Sequence, residues 1–277
     1  MRLLRTARAL ARLLAATGHA LHGLALVLLR WNALDEAERH CRIAWWSRTM
    51  LQRLGIGLQV EGSFREGGTL IVANHISWLD IMAIHAVCPR ARFVSKADVQ
   101  GWPLVGRLVD AAGTLYIVRE QRRDALRVAH SMAQALSAGD TVAFFPEGTT
   151  GLGDVPLPFH ASLLQAAIAT GVPVQPVALR FSDAAHAISP AADFRGDITL
   201  AQSLWMLAKG EGLIARVKVL PAEGVRHADR RALAQHLRET LTQALADMSP
   251  GDAGARPPLG HEDPASVSRS AVQREAA

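Results

Sequence analysis

Cysteine is nearly missing from this sequence. Cys41 and Cys88 are the only two among 277 residues, and their spacing fits neither a metal-binding nor a redox pair. No disulfide framework can be drawn, and nothing ties the chain to an oxidising compartment. Tyrosine occurs once, and aromatic residues make up only 5% of the chain, although six of them are tryptophan. Phosphate-cradling loops are missing too. Gly151-Leu152-Gly153 lacks the third glycine of a dinucleotide loop, and no lysine-serine pair follows a glycine-rich turn. No serine stands between glycines as in a nucleophile elbow. The histidines lack paired metal-ligand spacing, so no metal site is expected. His85, His130 and His160 read as surface or helix histidines. Together these absences argue against nucleotide-dependent, serine-hydrolase and zinc chemistry.

Net positive charge is missing after the first 54 residues. That segment holds nine arginines against three acids, a net +6, whereas the remainder holds 21 bases against 22 acids. A nucleic-acid-binding domain would carry its basic face, with interleaved aromatics, on the folded body. Here the charge adjoins the most apolar stretch instead, which points to anionic lipid headgroups and away from nucleic acid. Residues 13 to 29 contain no Lys, Arg, Asp or Glu. That run fits a short transmembrane helix, a helix lying in one leaflet, or a signal peptide interrupted by His19 and His22. A second helix is expected over 34 to 54, with Ile43, Trp46, Met50 and Leu54 on one stripe. The stripe fits packing on the domain core, but tryptophan beside arginine favours a helix pair at the membrane interface. Residues 1 to 54 are therefore expected to form a membrane-associated helix pair.

From Gly55 the pattern changes to short apolar runs alternating with helical stretches. Strands are expected at 58–62, 69–73, 92–95, 114–118, 141–145, 174–181 and 214–220. Helices are expected at 77–87, 103–110, 122–137, 161–170, 200–208 and 228–248. This alternation predicts an α/β domain over 55 to 248, a mixed sheet flanked by helices. Residues 182 to 196 read as an irregular insertion. Residues 249 to 277 offer little to bury and read as a disordered tail.

Candidate chemistry sits where strands end. Thr69 to Ala73 runs into Asn74-His75-Ile76-Ser77-Trp78-Leu79-Asp80. His75 thus occupies a strand-to-helix turn, where a rigid scaffold can present a side chain to a ligand. Ser77 and Asp80 fit a capping box, which would make the histidine incidental. Alternatively, a carboxylate holding one ring nitrogen makes the histidine a base near neutral pH. A second block, Gly113 to Arg119, ends an apolar run in arginine, and Lys96 closes another strand. A third, Phe144-Phe145-Pro146-Glu147-Gly148-Thr149-Thr150-Gly151, breaks a strand with proline, and Gly148 can turn backbone N–H groups toward an oxygen. A fourth, Val172-Pro173-Val174-Gln175-Pro176, fixes the entry to a strand and reads as structural.

In this order the blocks resemble the glycerolipid acyltransferase family, specifically the 1-acylglycerol-3-phosphate acyltransferases. The resemblance rests on Asn74, His75 and Asp80; on Gly113, Ile117 and Arg119; on Phe145 to Thr149; and on Val172 to Pro176. It covers residues 58 to 181, with the N-terminal helices alike in character only. The resemblance implies acyl transfer from an acyl thioester, on coenzyme A or acyl carrier protein, to a lysolipid hydroxyl. His75 would be the general base and Asp80 would orient it. Asn74, Lys96, Arg119, Glu147, Gly148 and Thr149 would line the substrate site, with amides near Gly148 facing the oxyanion. No metal or resident cofactor is implied. The implied location is the inner membrane, with the site at its cytoplasmic face and membrane lipids as partners. One position departs: the family often has arginine where this chain has Thr150, and that arginine would bind the acceptor's phosphate. The acceptor is then lysophosphatidic acid held by Lys96 and Arg119, or another lysolipid such as a lyso-ornithine lipid. A non-catalytic lipid-binding relative and a thioesterase-like hydrolase are the remaining readings.

Overall fold

The computed structural model describes residues 2–118, 122–225 and 228–248. Its strands are β1 (Ile56–Glu61), β2 (Thr69–Ala73), β3 (Ala91–Lys96), β4 (Leu115–Ile117), β5 (Thr141–Phe144), β6 (Val174–Ser182) and β7 (Leu213–Val219). The helices are α1 (Arg2–Arg30), α2 (Glu36–Arg53), α3 (Leu79–His85), α4 (Val105–Ala111), α5 (Arg122–Ser137), α6 (Gln165–Thr170), α7 (Leu200–Lys209) and α8 (Arg230–Asp247). The strands form one sheet in the order β1-β7-β6-β2-β5-β3-β4. Pairing is parallel except between β6 and β7, so the sheet is mixed.

Alternate residues of β2 enter opposite layers. Ile71 and Ala73 join a cluster with Met50, Leu79, Phe93 and Leu207. Leu70 and Val72 join another with Val128, Met132, Leu164 and Leu237. Every residue of β2 is therefore buried, as a strand covered by helices on both faces requires.

Topology also sorts the sequence blocks. Parallel strands β2, β5, β3 and β4 point their C-terminal ends to one sheet edge. There β2 runs into Asn74-His75, β5 into Phe145-Pro146-Glu147, β3 ends at Lys96, and β4 ends at Ile117. In open α/β sheets that edge is the ligand-binding one. The fourth block lies at the other end, because Val174 starts β6 opposite Leu70 and the Pro173 carbonyl accepts the Leu70 N–H.

The N-terminal segment is a helix pair docked on this body. Asp35 and Glu38 form a capping box that starts α2. The lower half of the α2 stripe is core: Met50, Leu51 and Leu54 pack with Ile56 and Leu79. A reciprocal pair of bonds clasps α1 to α2. His19 Nε2 donates to the Trp46 carbonyl at 2.9 Å, and Trp46 Nε1 donates to the His19 carbonyl at 3.2 Å. Gly23 permits this approach, since a Cβ there would stand 2.3 Å from Trp46 Nε1.

Part of the basic charge faces protein. Arg12 Nη1 donates to the Ala208 and Gly210 carbonyls at the end of α7, and Arg5 and Arg8 pair with Glu211. Arg48 donates to the Ala86 carbonyl. The sequence reading gave these arginines to lipid headgroups; the fold uses them to dock the helices. Away from that seam, α1 exposes Leu3, Leu10, Leu14, Leu21 and Leu28. Their spacings of seven and four place all five on one narrow stripe. By length and composition alone, residues 3–33 could cross a membrane. Arg119 and the tail from 249 onward lie outside the described residues.

Candidate active site

His75 stands at the C-terminal end of β2, held through its backbone and its ring. Its N–H donates to Glu147 Oε1 at 2.7 Å, and its carbonyl accepts the Gly151 N–H at 2.7 Å. The turn after β5 therefore grips the His75 peptide from both sides. Its ring lies flat on Phe145, with centroids 4.0 Å apart and planes 8° from parallel. Ring nitrogen Nδ1 is 2.7 Å from Asp80 Oδ2. A carboxylate accepts, so Nδ1 carries the proton and Nε2 keeps its lone pair.

Asp80 is fully buried, and its Oδ2 also accepts the N–H groups of Ile76 at 2.7 Å and Ser77 at 3.0 Å. Here the structure departs from the expected capping box: α3 starts after Trp78, which makes no side-chain cap bond. The Ser77 hydroxyl is a marginal 3.5 Å from the Leu79 N–H, while the Asp80 carboxylate makes the return contact to the Ser77 backbone. One carboxylate thus holds both the turn before α3 and the His75 ring. Its second oxygen, Oδ1, is buried without a partner among the described residues. Trp78 anchors the turn from outside, donating from Nε1 to Ser203 Oγ on α7 at 3.1 Å.

Two further residues from the sequence reading point inward. Asn74 bonds the backbone of β6 in both directions: Nδ2 donates to the Leu179 carbonyl at 3.0 Å, and Oδ1 accepts the Leu179 N–H at 2.7 Å. Glu147 is 4% exposed and uses both oxygens on backbone, Oε1 on His75 and Oε2 on Leu157 N–H at 2.8 Å. Burial raises its carboxyl above the ordinary carboxylate range, and the two N–H bonds oppose that rise.

Gly148 has φ +71°, a left-handed conformation that side chains resist, and a Cβ there would come 3.1 Å from His160 Cδ2. Its N–H closes the turn on the Phe145 carbonyl at 3.2 Å. Thr149 and Lys96 are exposed at the same sheet edge. Thr150 Oγ1 donates to the Phe194 carbonyl at 2.5 Å, tying this turn to the 182–196 insertion. No local pattern signals that tie, nor Leu157 and Leu179, which contribute backbone only. Phe145 had a sequence signal, an aromatic just before the strand-breaking proline, but no assigned role. Among the described residues, no three His, Cys, Asp or Glu side chains converge as metal ligands.

The Acyltransferase family profile matches residues 57–180. A 1-acyl-sn-glycerol-3-phosphate acyltransferase of Neisseria meningitidis is 37% identical over 203 residues, covering 72% of this chain and 79% of that protein. The chain belongs to the 1-acylglycerol-3-phosphate acyltransferase family. It is an acyltransferase of that type, acting in lipid biosynthesis. The lyso-ornithine lipid O-acyltransferase of Pseudomonas aeruginosa is 34% identical over 249 residues, covering 88% of this chain and 93% of that one. The fold agrees with the crystal structure of the 1-acyl-sn-glycerophosphate acyltransferase from Thermotoga maritima. That match has a TM-score of 0.67 at 22% identity and covers 90% of this chain and 98% of that one. Within this family fold, the His75–Asp80 pair and the Glu147 turn meet at the sheet edge that topology designates for ligands.

Proposed function

We propose that this enzyme transfers a fatty acyl group from an acyl thioester, on coenzyme A or acyl carrier protein, to the free hydroxyl of 1-acyl-sn-glycerol-3-phosphate. The observation that carries this reading is the His75 ring, its Nδ1 bonded to buried Asp80 and its Nε2 left with a lone pair. Nε2 takes the hydroxyl proton as the oxygen attacks the thioester carbonyl. The tetrahedral intermediate collapses with loss of thiolate, which takes the proton back from the imidazolium. No acyl-enzyme is required. Oxyanion stabilisation falls to backbone amides of the Gly148 turn. Gly148 N–H already closes that turn, so the next amide, Thr149, is the better donor. Asn74 and Glu147 act by building the site, and Lys96 with Arg119 supplies positive charge for the acceptor.

The second reading keeps this chemistry and changes the acceptor to a lyso-ornithine lipid. Thr150 favours it, as does the similarity to the Pseudomonas enzyme along most of the chain. Purified enzyme given labelled acyl-CoA and a panel of lysolipids separates the two. Transfer to lysophosphatidic acid at the highest kcat/KM is expected. Preference for lyso-ornithine lipid selects the second reading, and thioester hydrolysis without transfer rejects both.

We also infer that α1 lies in the cytoplasmic leaflet of the inner membrane with its leucine stripe down. The opposite face of α1 is docked by Arg5, Arg8 and Arg12, which keeps the helix beside the domain. Changing Leu10, Leu14 and Leu21 together to serine should move the protein from the membrane pellet to the supernatant, with activity on detergent-solubilised substrate retained. A triple variant that still pellets through salt and alkaline washing would place the attachment elsewhere. Deleting residues 1–54 is a poorer test, because it strips Met50, Leu51 and Leu54 from the core.

A further inference from the structure

Phe144 ends β5 and Phe145 follows it, and the alternation of the strand sends the two rings opposite ways. Phe144 joins the cluster with Leu70 and Val72. Phe145 turns to the other face and packs on the cluster that holds Ile71, Leu79 and Phe93. There four rings stand in a row. His75 lies on Phe145, with centroids 4.0 Å apart and planes at 8°. Phe93 backs Phe145 at 5.6 Å and 23°. His85 closes the row, edge on to Phe93 at 5.0 Å. Phe93 and His85 are buried, and burial pushes the His85 imidazole down to about 4, so that ring is neutral near pH 7. The row thus presents one proton acceptor to the site, His75, with three neutral rings behind it.

The blander account is packing, since Phe145 is partly buried and covers the end of the core. Packing explains an aromatic residue at this position but not its orientation. Neutral aromatic pairs settle with centroids roughly 4.5 to 7 Å apart, offset or edge to face, because their negative faces repel. His85 and Phe93 follow that rule, with planes at 83°. His75 and Phe145 lie parallel and closer. Such a stack gives little to a neutral imidazole and more to an imidazolium, whose charge the ring face attracts. The His75 side chain is 18% exposed, so solvent screens that attraction only in part. An interaction that is stronger after proton transfer than before it lowers the barrier. The two supports of the base are also complementary. Asp80 holds one edge of the ring at Nδ1, and Phe145 sets its plane, which together fix the direction of Nε2.

We propose that Phe145 is a positioning residue for acyl transfer, fixing the plane of the His75 ring and stabilising the imidazolium with its π face as Nε2 takes the acceptor's proton. The inference rests on His75 being the base. It makes the face of Phe145 the second support of that cation, beside the Asp80 carboxylate.

Steady-state kinetics of the full-length enzyme test it, with acyl-CoA as donor and the acceptor that wild type prefers in the lysolipid panel. Phe145→Leu keeps an apolar side chain and removes the π face. Its kcat should fall about tenfold, within the roughly twofold to thirtyfold that a cation–π contact contributes, while both KM values stay within twofold. Phe145→Tyr keeps the face and should recover most of the rate. Because leucine also changes the packing, a second series replaces Phe145 with phenylalanines carrying one, two and three ring fluorines. Fluorine withdraws electron density from the ring face and leaves the shape nearly intact. Each added fluorine should lower kcat further, with KM and Tm constant. Phe93→Leu is the packing control, because it removes the buried ring behind Phe145 without touching His75. It should lower Tm and reduce kcat by less than about threefold. A kcat indifferent to fluorination overturns the proposal, as does a loss in Phe93→Leu equal to that in Phe145→Leu, which would mark a packing role. A rise in acceptor KM that matches the fall in kcat also overturns it, by making Phe145 part of the binding surface. A folded His75→Ala enzyme with near-native activity overturns the base assignment and this inference together. An inactive His75→Ala beside a fully active Phe145→Leu overturns the inference alone.

Discussion

Replacing His75 with alanine should lower kcat/KM by at least a hundredfold, toward the roughly 10⁴-fold that a positioned general base can contribute. Nε2 is the lone-pair nitrogen that the Asp80 bond leaves available at this sheet edge. The carboxylates beside the ring cannot substitute. Glu147 has both oxygens bonded to backbone, and Asp80 is fully buried with its Oδ2 accepting three donors. Alanine also removes the ring stacked on Phe145 and one of those three donors. A stability loss of about 1 to 3 kcal/mol should accompany the lost activity, because a buried carboxylate loses a hydrogen bond. Thermal melts therefore belong beside the kinetics. The backbone bonds to Glu147 and Gly151 do not involve the ring, so the variant should still fold. A folded His75→Ala enzyme within tenfold of wild type would remove the histidine from the chemistry.

Asp80→Asn should come next in size, with kcat reduced about a hundredfold and acceptor KM nearly unchanged. An asparagine has one oxygen and one NH2 where Asp80 has two oxygens. If the oxygen keeps the Ile76 and Ser77 amides, the ring loses its negatively charged partner, and the imidazolium formed during proton transfer goes unsupported. If the NH2 turns to the ring, Nδ1 must accept, the proton moves to Nε2, and the lone pair faces the wrong way. Either arrangement leaves a buried polar group in the pocket where Oδ1 already lacks a partner. The signature that separates orientation from binding is a fall in kcat at constant KM. Retention of kcat within threefold would show that the ring is held by its stack on Phe145 alone. A matching rise in acceptor KM would show instead that Asp80 shapes the binding surface.

These expectations rest on residues the sequence displayed openly, and the reason is local. A buried parallel strand reads as an unbroken apolar run, and Thr69-Leu70-Ile71-Val72-Ala73 is one. The residues that end such strands are punctuation: Asn74-His75, Pro146 and Gly148. Strand and helix alternated, so the α/β class followed. The His75–Asp80 contact spans five positions across one turn, within reach of spacing arguments. Boundaries shifted where local signals were weak. The structure has β4 as only Leu115–Ile117, and the helix expected from Ala161 opens as a 3-10 turn before α6.

What local pattern could not carry is direction. The family resemblance put Asn74 and Glu147 among the groups facing a substrate. In the fold Asn74 bonds Leu179 across the β2–β6 pair, and Glu147 clamps the His75 peptide. Their partners are backbone atoms, whose positions depend on which strands lie side by side, and no periodicity records that. The arginines of α1 are a parallel case. Their charge was countable, but Glu211 and the end of α7 lie some two hundred positions away in sequence. The Thr150–Phe194 tie is of the same kind, joining the Gly148 turn to the 182–196 insertion. The sequence by itself determined the strands, the turns that end them and the histidine–carboxylate pair, because these arise from neighbours along the chain. Tertiary structure alone decided which polar groups face solvent and which brace the site. A hydrogen bond between distant segments exists only once sheet order and register have brought its two ends together.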